Sequence, residues 1–362
     1  MIEMTLVRNI SGGFRMNRSL VFCAALVFAS TFLHEDLLGA SRAKYAGEFL
    51  AIGVGGRALG LGGAYSALAS DVTAGYWNPA GLSQIMYPQI TLMHDERFGG
   101  LVNYDYGAAA MPFGRDMSLA FSVIRLGIDN IPNTQNAGLD VNGNLLPPGQ
   151  MENVGAIDPN RVTYFNSADW AFYVSYAKRV DERFSYGANL KFIRRDLEVG
   201  SATGVGFDLA AQYRVTDRFL LGANFQDVTT TLVAWSTGTN ELITPTLKLG
   251  SAYFIDLFGG RFAPAVDADV RFENRRSASN AHIGPVSFDF HGGSEFEFHN
   301  LVALRAGYSD IGALNMGAGI HLPKFDIDYT FSKFDADDQL GNTHRISLTF
   351  TLQADQFVRT AE

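Results

Sequence analysis

The amino-acid sequence predicts an all-β chain, a transmembrane antiparallel β-barrel of about 14 strands with an N-terminal Gly/Ala-rich hatch in its lumen. Three observations carry this expectation. Apolar and polar side chains alternate with period two from residue 89 onward. An apolar run of export-signal type lies near the N-terminus. No later segment reaches the roughly 18 consecutive apolar residues of a spanning helix.

Residues 1–43 read as a signal peptide. Leu20 to Leu33 form the apolar run, Arg15 and Arg18 precede it, and Ser41-Arg42-Ala43 supplies a small-x-small cleavage site. Met16 is an alternative start. The run is shorter than the roughly 20 residues that a retained helix needs. Cys23, the single cysteine of the chain, lies inside this run, so the mature protein is expected to lack disulfides and thiolate metal sites.

Residues 44–88 have a different composition. Ala46 to Leu82 is rich in Gly and Ala and shows no strand alternation. It is too apolar for a solvated tail, and its small residues allow close backbone packing. The lumen of a wide barrel is the place for it, because larger barrels are commonly plugged by a loop or helix.

Residues 89–362 supply the barrel. Phe288, Phe290, Phe296 and Phe298 alternate with Asp289, His291, Glu295 and Glu297, and Phe325, Ile327, Tyr329 and Phe331 with Asp326, Asp328, Thr330 and Ser332. Candidate strands fall at 89–98, 101–112, 117–128, 168–179, 183–195, 203–214, 218–227, 245–256, 262–273, 286–298, 301–309, 315–322, 324–333 and 343–353. The alternation alone also suits a soluble sandwich. Stretches of about ten residues match a tilted strand crossing a bilayer, and a closed sheet satisfies every backbone group in lipid. Arg115-Asp116, Asp181-Glu182, Thr216-Asp217 and His299-Asn300 mark short turns, expected at the periplasmic end; 129–167 and 228–244 read as longer external loops.

Composition narrows the function classes. Apolar residues make up 47% and charged residues 18%, with 38 Gly, 28 Phe and 14 Tyr, which suits strands, turns and aromatic belts. The net charge of −9 offers no basic surface for nucleic acid. Asp140-Val141-Asn142-Gly143-Asn144 has its glycine too early for an EF-hand and lacks the closing Glu, so it reads as an external turn, and no metal or cofactor is expected. His94 and Asp95 are adjacent on a strand and point to opposite faces, and His291 beside Asp289 is the other nearby pair. No Gly-x-Ser-x-Gly elbow or His-Glu-x-x-His helix occurs, so no enzyme activity is expected.

An acidic wall of Asp267, Asp269, Asp289, Glu295, Glu297, Asp326 and Asp328, set against Lys191, Arg195, Arg271 and Arg305, is expected to face the lumen, because a charge on the lipid face at mid-membrane costs a few kcal/mol. Such a wall suits either a cation-preferring path or ordinary packing around a plug. Arg57 and Asp71 are placed to meet that wall, each other or solvent.

Phe49 to Leu82, with Gly-Gly-Arg57-Ala-Leu-Gly-Leu-Gly-Gly-Ala-Tyr and then Trp77-Asn78-Pro79-Ala80-Gly81-Leu82, resembles the opening signature of the PorV/PorQ family of outer-membrane proteins. Tyr186 to Phe192, Gly204 to Leu209, Asp227 to Trp235 and Thr343 to Leu348 are similar to the same family. The family is related to the fatty-acid channel FadL. The resemblance implies a fourteen-stranded barrel in the cell outer membrane with an N-terminal hatch, in which Asn78-Pro79-Ala80 either forms a gate or only folds the hatch. It also implies two roles. One is binding or shuttling exported proteins to surface machinery, as in type IX secretion, with 129–167 as the contact surface. The alternative is FadL-like uptake of hydrophobic small molecules.

Overall fold

The computed structural model describes residues 47–150, 152–198, 200–334 and 342–359; the predicted export segment lies outside them. Strands β1 (Gln89–Arg97), β2 (Val102–Phe113), β3 (Met117–Asn133), β4 (Thr163–Arg179), β5 (Phe184–Leu197) and β6 (Gly200–Arg214) follow one another around a sheet. β7 runs Phe219–Gln226 and resumes at Thr231–Trp235; β8 is assembled from Asn240–Ile243, Thr246–Tyr253 and Ile255–Leu257. The ring continues with β9 (Gly260–Arg271), β10 (Val286–Phe298), β11 (Val302–Tyr308), β12 (Leu314–Leu322), β13 (Phe325–Lys333) and β14 (Thr343–Thr351). The eighteen paired segments of the sheet thus form fourteen staves, with Ala281–Ile283 as a short strand doubling back on β10.

Every neighbouring pair is antiparallel. β14 meets β1 from Gln89↔Thr351 to Glu96↔His344 and closes the ring, leaving no sheet edge. The alternation read from the sequence becomes an inside and an outside. In β11, Val302, Leu304, Ala306 and Tyr308 face outward, while Ala303, Arg305 and Gly307 face inward and are buried. Leu304 is 59% exposed, and Arg305 only 4%. An oily outer wall around a charged interior is the arrangement of a membrane barrel, since lipid covers the outer face. No helix among the described residues is long and apolar enough to cross a membrane.

The two ends differ. At one end the turns are tight: Phe258-Gly259 and His299-Asn300 both have positive φ, the mirror-image turn that matches strand twist. Here the C-terminal tail also docks, with Arg359 Nε donating to Ile85 O (2.9 Å) and its Nη2 to Ser118 Oγ (2.6 Å). The other end carries the longest connection, 134–162, which contains its own two-stranded ladder, Gly138–Leu139 against Ala156–Ile157.

Two loop expectations need correction. β3 and β4 extend to Asn133 and from Thr163, so the long loop is shorter than 129–167; Pro132 is accommodated opposite Tyr164, beyond a register shift between Ile128 and Ile131. Most of 228–244 is not loop but wall, because β7 resumes at Thr231 and β8 begins at Asn240.

Residues 47–88 pass through the barrel. After a first turn at Glu48–Leu50 they comprise a short helix α1 (Gly56–Gly60), a single turn α2 (Ala74–Trp77) and a 3-10 turn (Pro79–Gln84). Nearly every residue from Gly53 to Ser83 is buried. α1 leans on β11 to β14, and the 3-10 turn leans on β3 to β6. Two wall glycines permit this fit. A Cβ at Gly187 of β5 would lie 2.5 Å from Ala80 N, and one at Gly307 of β11 would lie 2.2 Å from Leu61 C.

Candidate lumenal binding site

The inner face and residues 47–88 are joined in two chemically different ways. Toward β9 to β14 the joints are centred on charge: an ion pair and a carboxylate on backbone N–H groups, with two hydroxyl bonds to Gly56 beside them. Arg57 grips Glu295 with two parallel bonds (Nε to Oε2 2.9 Å, Nη2 to Oε1 2.8 Å). Arg305 holds the same Glu295 (2.6 Å) and Asp328 (2.5 Å). Asp267 Oδ2 accepts the backbone N–H groups of Tyr65 (3.2 Å) and Ser66 (2.9 Å). Thr330 donates to Gly56 O (2.6 Å), and Ser347 Oγ accepts Gly56 N–H (2.9 Å).

Toward β5 to β7 the joints are neutral amides. Asn189 donates to Gly75 O (2.8 Å), Asn224 to Trp77 O (2.9 Å), and Gln212 to Ala69 O (2.8 Å). Asn78 sits extended before Pro79, its Oδ1 capping Ala80 N–H (3.1 Å) while its Nδ2 donates to Ser66 O (2.8 Å) and Ala211 O (3.1 Å). Pro79 suits the first position of a turn because it lacks an N–H. Ala80 is fully buried beneath Gly187. Trp77 donates from Nε1 to Val54 O (2.8 Å) and packs edge-on against Tyr65 and Tyr76.

The seven carboxylates of the expected acidic wall all lie on inward positions but do not act together. Asp269 pairs with Lys248, and Asp289 with Arg271 (3.0 Å) and Arg275. Asp326 faces His321 (3.1 Å). Glu297 joins Asp326, Asp71 and Arg57 around a cavity of about 160 Å³. Asp71 turns back on its own segment, accepting from Tyr65 Oη (2.8 Å) and Thr73 N–H (2.8 Å).

Several wall contacts escaped the sequence reading. Asn189, Gln212 and Asn224 carry no charge and give no signal beyond their inward parity. Lys191, grouped with the wall, instead meets Asp227 (2.7 Å) and Asp208 (3.3 Å) in a buried cluster behind the break in β7. His94 and Asp95 do part company: His94 faces outward to Asp105 (2.7 Å), and Asp95 inward to Arg345 (2.8 Å). His291 serves Gly62 and not Asp289, its Nδ1 lying 2.8 Å from Gly62 O. In the loop, Asp140 accepts the N–H groups of Asn142 and Asn144 (both 2.8 Å), which makes it the hub of a turn.

A second cavity, of about 210 Å³, opens at the loop end between residues 47–88 and the wall. Ile52, Leu59, Tyr76 and Trp77 form its apolar side; Lys248, Asp269, Arg271, Arg275 and His291 form its polar side.

No protein-family model matches the sequence, and no curated protein does. Solved structures do share its shape. The toluene transporter TbuX of Ralstonia pickettii aligns with a TM-score of 0.54 at 13% identity, over 83% of this chain and 99% of that one. The toluene transporter TodX of Pseudomonas putida gives 0.53 at 12%, over 83% and 98%. A FadL homologue of Pseudomonas aeruginosa gives 0.51 at 13%, over 86% and 98%. At such identities the likeness is one of fold, and in fold the chain is a closed fourteen-stranded barrel of the FadL type.

Proposed function

We propose that the protein is an outer-membrane channel for small hydrophobic molecules, with residues 47–88 as its hatch. The observation that carries this reading is the 210 Å³ cavity, which faces the loop end and ends on Leu59 and Trp77 of the hatch. Ile52, Leu59 and Trp77 of the hatch offer apolar surface in that cavity to a molecule arriving from the loops. Two of the solved barrels of the same shape are toluene transporters. The long loop 134–162 marks this end as external, since such barrels keep their short turns in the periplasm. Arg57, Asp71 and the Asn78-Pro79-Ala80 turn are then the hatch's fixing points, and the paired carboxylates of the wall are its sockets.

Uptake of radiolabelled toluene by cells lacking the protein, and by the same cells with it restored, tests this reading. Restoration is expected to raise the initial uptake rate several-fold. Equal rates in the two strains would sink it.

The opening signature Phe49 to Leu82 and the ladder in loop 134–162 favour a second reading, a PorV/PorQ-like shuttle for exported proteins. Affinity purification from native membranes, with and without loop 134–162, separates the two. A loop-dependent protein partner with unchanged toluene uptake supports the shuttle.

A further inference from the structure

The 210 Å³ cavity is not built for a plain hydrocarbon. Three buried polar atoms on its wall have no hydrogen-bond partner: Arg271 Nε, which faces Asp289 Oδ2 at 3.0 Å, and Asp269 Oδ1 and His291 Nε2, which face the cavity unpaired. A buried polar group left without a hydrogen bond destabilises its surroundings, so each of the latter two calls for a partner. Their chemistry is fixed by their neighbours. Nδ1 of His291 lies 2.8 Å from Gly62 O, an acceptor, so Nδ1 carries the proton. In the neutral ring Nε2 is therefore a lone-pair acceptor. Asp269 already receives Lys248 on Oδ2, which leaves Oδ1 as a second acceptor in the same corner. Nε2 and Asp269 Oδ2 are 3.6 Å apart, too far to satisfy one another.

The same cavity also carries apolar surface. Leu59 and Ile52 contribute alkyl groups, and the Trp77 indole has spent its one donor on Val54 O, so only its carbon surface is offered. Size sets the remaining limit. An apolar cavity of about 150 Å³ accepts benzene; at about 210 Å³ this one holds a single substituted ring and not a long chain.

We infer that the cavity is a binding site for a single-ring aromatic alcohol of the phenol class, its ring on Leu59 and Trp77 and its hydroxyl donating to His291 Nε2. A hydroxyl also accepts, so it is served by the nearby Lys248 and Arg271 as well. The inference rests on the channel reading for its biological use, and it sharpens the substrate from hydrocarbon to hydroxylated ring.

Calorimetric titration of the full-length mature protein in detergent with phenol, anisole and toluene tests it. The three differ at one substituent: a donor, an ether acceptor and a methyl group. Phenol is expected to bind about tenfold or more tightly than either of the others, because a site built around a hydroxyl rejects analogues lacking it. His291→Leu is expected to bring phenol down to the toluene level and leave toluene unchanged, whereas Glu182→Gln, in the turn at the opposite end, leaves the ratio intact. Equal affinity for phenol and toluene, anisole matching phenol, or a preference that survives His291→Leu overturns the inference. The ligand series on the unaltered protein decides the matter by itself if His291→Leu fails to assemble. Selective phenol binding with no protein-dependent uptake overturns the channel reading and leaves the site standing.

Discussion

The two flanks of residues 47–88, the proposed hatch, are held by different means. On the β9 to β14 flank, Arg57, Glu295, Arg305 and Asp328 form a chain of ion pairs in which both members are largely buried. On the β5 to β7 flank, Asn189, Gln212 and Asn224 bond directly to hatch carbonyls and no charge is involved. Removing one member of a buried ion pair strands its partner in low dielectric, whereas removing an amide strands only a carbonyl. The first flank is therefore sensitive to the loss of any single residue and tolerant of matched replacement. The second degrades one bond at a time.

The largest effect is expected at the shared residue of the ionic flank. Arg305→Met leaves Glu295 with Arg57 alone and Asp328 without its arginine, and should cost about 3–5 kcal/mol in detergent unfolding. Replacing Asp328 by Asn in the same chain, with Glu295 kept for Arg57, should recover part of that loss. A double variant no more stable than Arg305→Met would break the contrast between the flanks.

Next comes the fit of hatch to wall. Gly187→Val puts a side chain 2.5 Å from Ala80 N and should destabilise by at least about 1–3 kcal/mol. Gly107→Val is the control, since its Cβ points outward and meets only Leu92 and Val123 at 3.5 and 3.6 Å. Equal melting temperatures for the two variants would mean that the hatch does not press on β5.

A smaller effect, about 1–3 kcal/mol, is expected from Asn224→Ala on the neutral flank, because Trp77 O loses its donor. Amide hydrogen exchange should rise in residues 74–84 before it rises around Arg57. The reverse order would sink the assignment of the neutral flank to that half of the hatch.

The smallest effect lies outside both flanks, in loop 134–162. The side chain and N–H of Asn144, followed by Asn142, hold the Asp140 carboxyl below its ordinary value. A carboxylate with a lowered folded pKa stabilises its turn above the unfolded value of about 3.9 and loses that contribution as pH falls through the folded one. Protection of the Asn142 and Asn144 amides should thus persist at pH 5 and fade only below about pH 4. Fading already at pH 6 would show that another group controls the turn.

Much of the architecture was legible because side-chain alternation survives in every stave. Residues 343–353 and 286–298 were placed almost to the residue, since Ile346, Leu348, Phe290 and Phe298 take the outer face while Arg345, Ser347, Asp289 and Glu295 take the inner. The break in β7 was not legible. Asp227 and Thr230 adopt positive φ there, and Asp227 turns in to meet Lys191, a partner on a different stave. Nor was the extension of β3 past Asp129, where Pro132 signals a loop that the pairing with β4 overrides. The sockets of the hatch were only half visible. Charge marks Asp267 and Glu295 as inward, but the joining of Asp267 to Ser66, 201 positions away, depends on ring closure and barrel register.

The seam between β1 and β14 makes this a protein whose ends must find each other. Thr351 pairs with Gln89, and Arg359 clasps the carbonyl of Ile85, just ahead of the first stave. A nascent polypeptide cannot form that junction until its last stave has been synthesised, and contacts of such long sequence separation form slowly. Until then both terminal staves carry open ladders of N–H and C=O groups, the kind of edge that recruits other chains. Biogenesis of this barrel therefore calls for an escort that shields those ladders until the C-terminal residues arrive.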